Sequence, residues 1–320
     1  MIKHVTADAA VDGQEVRPPS GRPSFAERSS RLRVSAKRRG VVRSVLFHAV
    51  SMMVAVVLLY PALWMVFSSL KPNHEIIGNP SLFSENASLD NFGNALKGIA
   101  GNTFWAFFTN SLIVACLSVV GVTMSCSLAA YAFSRIKFPG RNVFFVCMIG
   151  TLLLPFHVVI IPQYIVFNTV GLVGGKTYAS FIPLLIGKFL AADAFFVFLM
   201  VQFMRGLPND LDEAARIDGA GHPRIFFSIM LPLMKPALVT SSIFAFIWAW
   251  NDFFAPLIYL NSPQRYTLMV ALRLYVDPTS GSDYGTQMAM AVLALVPVLL
   301  FFLAFQRQIV GGIATSGLKG

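Results

Sequence analysis

Long runs of mostly apolar residues, with few or no charges, recur along the 320-residue chain. A helix needs about 20 residues to cross the hydrocarbon core of a bilayer. Six runs reach that length, at 44–70, 107–133, 143–167, 181–204, 236–260 and 287–306. None of them alternates polar and apolar residues, as the strands of a membrane barrel would. The pattern therefore predicts an all-α integral membrane protein with six transmembrane helices.

The composition agrees with this interpretation. Hydrophobic residues make up 56% of the chain and charged residues 12%, whereas a soluble domain is about 45–50% apolar and about 25% charged. A soluble monomer of this composition would expose large apolar patches. The same numbers exclude disulfide-rich, collagenous and disordered classes of protein.

The net charge of +10 is concentrated next to the first apolar run. Seven basic residues and no acidic residue lie between Arg28 and Arg43. A basic segment beside a span marks the cytoplasmic side and attracts anionic lipid headgroups. Because no nucleic-acid-binding motif accompanies it, we expect contact with membrane lipid and no nucleic-acid partner.

Lys and Arg in the connections predict the orientation. The tail and the connections after the second and fourth runs carry most of them, so these lie in the cytoplasm and both termini are cytoplasmic. Residues 1–43 form a basic tail without hydrophobic periodicity, which we expect to be disordered. Residues 44–308 form the six-span domain, with a long cytoplasmic loop at 205–235, and residues 309–320 form a second cytoplasmic tail.

The loop between the fourth and fifth runs has internal structure of its own. Asp210 and Glu213 have the spacing of a capping box at a helix start. Gly219 is a typical helix end, and Pro223 suits the first turn of a second helix that Pro232 breaks. We therefore predict a helix, a glycine turn and another helix.

A motif of seven residues lies within this loop: Glu213, Ala214, Ala215, Gly219, Ile229, Leu231 and Pro232. Their spacing matches the EAA motif, and the chain resembles the permease subunits of binding-protein-dependent ABC importers. Such a match arises by chance on the order of 10⁻⁵ from ordinary residue frequencies. The flanking IDGAG and the terminal GGIATSGLKG are similar to the carbohydrate-uptake branch, specifically the six-span maltose and glycerol-phosphate type.

The resemblance implies that this loop couples the spans to a cytosolic ATPase. The coupling residues it assigns are Glu213, Ala214, Ala215, Asp218, Gly219, Ala220 and Pro232. Glu213 would make the polar contact with the ATPase, and small alanines would permit close helix approach. The alternative is that Glu213 only caps its own helix.

The resemblance also implies partners and a location. The partners are cytosolic ABC ATPase subunits, a second homologous permease subunit and an extracytoplasmic solute-binding protein. The expected function is uptake of a sugar or sugar-like solute across the bacterial cytoplasmic (inner) membrane, as a multi-pass protein.

The chain has no Walker A sequence and no catalytic, metal or cofactor constellation, so we expect no enzymatic activity and no cofactor. An ATPase-independent secondary transporter or channel, or a membrane-embedded enzyme, is the alternative.

Two ionisable residues lie inside the fourth run, Lys188 and Asp193. Such groups are costly in the hydrocarbon and often functional. They line the translocation path, or they pair with each other or a neighbouring helix. Otherwise the helix breaks near Gly187 and Lys188 extends to the interface.

The fifth run carries Trp248, Asn251 and Asp252 near its outer end. Aromatic and hydrogen-bonding groups of this kind could contact a sugar in the translocation path. An aromatic belt at the membrane interface predicts the same residue types.

Overall fold

A computed structural model describes the backbone of residues 25–78, 81–276 and 282–317, and the side chains of residues 43–78, 81–276 and 282–306. The chain divides into two compact units, residues 1–61 and residues 62–320. The described part of the first unit is helical. The second unit contains the elements that position the candidate site.

Fifteen α-helices occur in the described part of the chain. They are α1 (Phe25–Ser68), α2 (Asn73–Ile76), α3 (Asp90–Lys97), α4 (Phe104–Arg135), α5 (Arg141–Thr151), α6 (Phe156–Thr169), α7 (Ile182–Phe189), α8 (Ala194–Arg205), α9 (Asp210–Ile217), α10 (His222–Ile225), α11 (Leu231–Leu233), α12 (Lys235–Asn251), α13 (Phe254–Tyr259), α14 (Leu268–Arg273) and α15 (Tyr284–Gly317). Short 3₁₀ turns occur at Tyr178–Phe181 and Pro263–Arg265, and a π-helical turn at Phe226–Met230. The described residues contain no β-strand.

Four helical segments are long and apolar enough to cross a membrane: Arg43–Ser68, Phe104–Arg135, Tyr178–Arg205 and Tyr284–Gln306. Two further pairs pass the same criteria together but are bent, α5 with α6 by 101° and His222–Leu233 with α12 by 75°. Counting each bent pair as one span brings the total to six. The protein is thus an all-α membrane protein, as the apolar runs predict.

The first helix differs from the sequence prediction. Helix α1 begins at Phe25, so residues 25–43 of the basic tail are helical and not disordered. This stretch contains six arginines and two alanines, which favour a helix, and no proline. A helix nucleated in the span therefore extends into it at little cost. Residues 1–24 of the predicted tail lie outside the described residues.

The third span is not one straight helix. The apolar run at 143–167 has the length of one span, but the chain breaks between α5 and α6 at Leu152–Pro155. Pro155 lacks an N–H group and disfavours helical backbone at the residue before it. The fifth run is also interrupted, because Asp252 is extended and separates α12 from α13.

Helix α4 lies at the centre of the second unit and packs against α7, α8 and α12. Small residues permit its close approach to α7, as is typical of membrane helix interfaces. A Cβ atom added to Gly121 would lie 2.9 Å from the Phe189 ring. In the C-terminal half of α4, a cluster of buried side chains joins it to α8 and the loop helices, and includes Cys126, Met200, Met204, Ile225 and Met230.

Candidate functional site

The first loop helix, α9, has a buried face and an exposed face. Asp212 and Ala215 are buried, and Ala215 belongs to the apolar cluster under α9. Glu213 and Ala214 are exposed. Ile217 is 86% exposed, although it is a large apolar residue. The exposed residues of α9 therefore include the Glu213 carboxylate, the small side chain of Ala214 and the aliphatic side chain of Ile217, together with Asp210, Leu211 and Arg216.

The prediction that a glycine terminates α9 is confirmed. Gly219 has a φ of +80°, which favours glycine. Its N–H donates to the Arg216 carbonyl at 3.0 Å, and the Ala220 N–H donates to the Ala215 carbonyl at 2.9 Å. This is the hydrogen-bond pattern of a Schellman motif. Asp218 is the C-terminal cap residue of the same helix.

The predicted capping box at the start of α9 is wrong. The N-cap is Asn209, and no side chain caps the helix. The Asn209 side-chain oxygen instead accepts a hydrogen bond from Arg135, at the end of α4. Arg135 also forms an ion pair with Asp212, 3.2 Å between Nη1 and Oδ2. Sequence reasoning missed Arg135, Asn209 and Asp212, because it treated Arg135 only as a topology signal.

The second part of the loop is a bent helical segment. Pro223 lies in the first turn of α10, as predicted. The chain continues through the π-helical turn Phe226–Met230 into α11, which contains Pro232. The change of direction falls at Met234, where Met234 N donates to the Met230 carbonyl before α12 begins. Pro232 is therefore inside the helical segment and just before its bend.

The fourth span is broken, and the charged pair lies at the break. Lys188 Nζ is 2.8 Å from Asp193 Oδ2, and both side chains are about one-third exposed (29% and 31%). The helix stops at Phe189 and restarts at Ala194. The sequence left open whether the two charged residues pair with each other or whether the helix breaks. Among the described residues both occur, because Lys188 pairs with Asp193 across a break in the span.

The break has a defined backbone structure. Ala191 has a φ of +54°, a left-handed conformation that costs free energy for a residue with a side chain. The Ser125 hydroxyl on α4 donates to the Lys188 carbonyl at 2.6 Å and accepts from the Ala191 N–H at 3.2 Å. One serine therefore satisfies two of the backbone groups that the interrupted helix leaves without an intrahelical partner.

The candidate path residues of the two spans come together around two adjoining cavities. A cavity of about 380 Å³ is lined by Lys188, Trp248, Asn251 and Asp252, among others. A second cavity, of about 530 Å³, is lined by Lys188, Asp193 and Asp252. Trp248 is 47% exposed and its ring contacts those of two phenylalanines of α8. The cavities combine aromatic walls with charged and amide groups.

A helical bundle with bent spans, and with charged and amide side chains at the cavities between them, is typical of a multi-pass membrane transport protein. A family model described as "Binding-protein-dependent transport system inner membrane component" matches residues 121–314. The chain belongs to this family and is therefore a permease component of the inner membrane. This membership confirms the resemblance that the EAA motif indicates, and it decides against a secondary transporter or channel.

Individual relatives support the same assignment. The chain is 32% identical to the diacetylchitobiose uptake system permease protein NgcG of Streptomyces coelicolor, over 91% of this chain and 93% of that protein. It is 33% identical to the arabinooligosaccharides transport system permease protein AraQ of Bacillus subtilis, over 84% of this chain and 93% of that protein.

A solved structure shows the same fold. It is the crystal structure of a bacterial ABC transporter involved in the import of the acidic polysaccharide alginate, and the match has a TM-score of 0.70. It covers 85% of this chain and 97% of the matched chain, with 24% sequence identity. This likeness identifies an importer permease fold for the present chain.

Proposed function

We propose that this permease subunit takes up a sugar, most simply an oligosaccharide, and that ATP hydrolysis by partner subunits drives the uptake through the EAA loop. The relatives are named for the uptake of diacetylchitobiose and of arabinooligosaccharides, and these names support the substrate class. The proposed partners are cytosolic ATPase subunits, a second homologous permease and an extracytoplasmic binding protein. The Lys and Arg distribution supports cytoplasmic termini.

The observation that carries the proposal is the contrast between two adjacent carboxylates. Asp212 is buried and paired with Arg135. Glu213 is exposed, and no side-chain hydrogen bond or ion pair involves it among the described residues. A solvated carboxylate beside an exposed isoleucine is suited to contact a separate protein, because both groups are free to be covered.

The alternative role for Glu213, capping α9, has less support. The helix has no side-chain cap. An acidic residue in the first turn still interacts favourably with the helix dipole, but this contributes only about 0.3–1 kcal/mol. A role in docking therefore explains an exposed glutamate at position 213 better than a role in helix stability alone. In the same interface, Ala214 permits close approach, and Asp218, Gly219 and Ala220 shape the end of the docking helix.

The translocation path is the second part of the proposal. Lys188, Asp193, Trp248, Asn251 and Asp252 contribute to it through the two cavities described above. A sugar ring presents apolar C–H faces and many hydroxyl groups, which suit aromatic walls and polar side chains respectively. This chain supplies one side of the path, and the second permease supplies the other.

The test of coupling is Glu213→Lys in the reconstituted transporter. The complex is assembled in vesicles of phosphatidylethanolamine and phosphatidylglycerol. The transport probe is a labelled oligosaccharide, chosen from chitooligosaccharides and arabinooligosaccharides by its binding to the cognate binding protein. Reversing the charge opposes the contact with the ATPase, since juxtaposed like charges cost several kcal/mol. We expect uptake and the amount of co-purified ATPase each to fall about tenfold or more.

The matched control is Glu85→Lys, which makes the same charge change at an exposed residue between α2 and α3. It should leave both uptake and ATPase recovery unchanged, because this connection lies on the opposite side of the membrane in the predicted topology. Normal uptake by the Glu213→Lys complex would overturn the coupling assignment.

A further inference from the structure

Arg135 is a buried charge at the end of α4, next to the coupling loop. Its Nη2 donates to the carbonyls of Met204 and Leu207, each at 2.8 Å. Its Nη1 donates to Asn209 and pairs with Asp212. The side chains of Arg135 and Asp212 are only 3% and 6% exposed. One guanidinium therefore joins the second span, the end of the fourth span and the first coupling helix.

The preceding turn of α4 holds the other half of the loop. Tyr131 lies four residues before Arg135 and therefore on the same helix face. Its hydroxyl and His222 Nδ1 are joined by a hydrogen bond of 3.0 Å. Its ring is also 5.3 Å from that of Phe226, between centroids. Both helical parts of the loop are thus attached to one turn of α4 by polar contacts.

The ion pair does not use all of its hydrogen-bonding capacity. Arg135 Nε and Asp212 Oδ1 are buried and have no hydrogen-bond partner among the described residues. Unsatisfied buried polar atoms oppose stability, so the pair is not explained as an optimised structural bridge. A pair with a spare donor and a spare acceptor can change its geometry as α9 moves, without separating the charges.

From these contacts we infer that Arg135 is a positioning residue for coupling, which transmits movement of α9 to the second and fourth spans through Asp212. This rests on the proposed role of α9 in docking the ATPase. Arg135 itself contacts neither the ATPase nor the solute. It makes α4 and α8 move with the coupling helix, because a buried charge pair is costly to separate.

The test compares Arg135→Lys and Asp212→Asn in the complete transporter, in the same vesicles and with the same labelled oligosaccharide. The readouts are MgATP hydrolysis, oligosaccharide molecules moved per ATP, recovery of the ATPase subunits, and the unfolding temperature. Each variant should lower the transport per ATP about tenfold, within the usual range of coupling between sites. ATPase recovery should stay at the wild-type level.

Two features separate positioning from simple loss of structure. The double variant should be no worse than the more impaired single variant, because residues that act through each other are non-additive. Tyr131→Phe, which removes only a hydroxyl, should lower transport per ATP with little change in unfolding temperature. The controls Arg141→Lys and Asp90→Asn make the same chemical changes outside both the buried pair and α9, and should transport normally.

The outcomes distinguish this inference from the proposed function. Unchanged transport per ATP in both single variants would overturn it, as would independent, multiplying effects in the double variant. Loss of ATPase recovery in the Arg135→Lys complex would also overturn it, because the role would then be assembly. If Glu213→Lys transports normally, the docking role fails instead.

Discussion

Asp212 and Glu213 are neighbours with the same charge, yet their surroundings differ completely. Helical geometry turns one carboxylate towards the spans and the next towards solvent. The inward carboxylate requires a partner because an isolated buried charge is very unfavourable, and Arg135 supplies it. At the scale of the residue, function is therefore divided between two adjacent acids, one for anchoring and one for external contact.

The glycines give a prediction at the same scale. Gly98 and Gly219 have similar positive φ angles, +83° and +80°, but differ in the space around a Cβ atom. An added Cβ at Gly98 would lie 2.0 Å from the Asn102 carbonyl oxygen, whereas nothing lies within 4 Å at Gly219. Gly219→Ala should destabilise by about 1 kcal/mol through backbone strain. Gly98→Ala should lower the free energy of unfolding by this strain and by about 1–3 kcal/mol more, because its Cβ atom also clashes with the Asn102 carbonyl.

Thermal unfolding of the purified protein in detergent measures both changes. Gly150→Ala is the control, because this glycine has helical backbone and open space around its Cβ position. It should be neutral or slightly stabilising, since alanine favours a helix. Equal unfolding temperatures for the first two variants would contradict the steric argument.

At the scale of the element, the important features are interruptions of the spans. Breaks between α5 and α6, between α7 and α8, and after α12 expose backbone groups that a continuous helix would satisfy. In a membrane these groups need partners within the protein. The break in the fourth span satisfies two of them through Ser125, and this holds Lys188 and Asp193 beside the cavity.

Ser125→Ala tests this local structure. It removes the partner of the Lys188 carbonyl and of the Ala191 N–H, and an unpaired buried polar group costs about 1–3 kcal/mol. The unfolding temperature in detergent should therefore fall. Ser127→Ala is the matched control on the same helix, because among the described residues the Ser127 hydroxyl bonds only to the Met124 carbonyl within α4. If the two variants unfold at the same temperature, Ser125 does not hold the break.

At the scale of the whole second unit, helices that are distant in the sequence form the cavities. Lys188 comes from α7, Asp193 from the break, and Asn251 and Asp252 from the end of α12. Asp252 Oδ1 also accepts a hydrogen bond from the Ala255 N–H at 3.3 Å, at the start of α13. The same carboxylate therefore supports the interrupted span and lines the candidate path.

If Asn251 and Asp252 line the translocation path, Asn251→Leu combined with Asp252→Asn should change solute recognition. Loss of polar groups that contact the solute should raise the concentration for half-maximal uptake about tenfold, equivalent to about 1.4 kcal/mol. ATPase recovery should be unchanged. Asn94→Leu with Asp90→Asn makes the same replacements at exposed residues of α3, outside both cavities, and should have no effect. If the Asn251→Leu, Asp252→Asn variant takes up the solute with unchanged affinity and specificity, these two residues do not line the translocation path.

The sequence by itself determined the helical membrane class, the six apolar runs and the EAA loop. A bilayer requires a long apolar run for each span, and the motif and the glycine end at Gly219 are local patterns. Only the tertiary structure decided that Arg135 holds Asp212, that Asp210 and Glu213 form no capping box, and that Lys188 pairs with Asp193 beside Asp252. Most of these outcomes depend on contacts between helices far apart in the chain, and hydrophobic periodicity carries no information about which polar groups on those helices will meet.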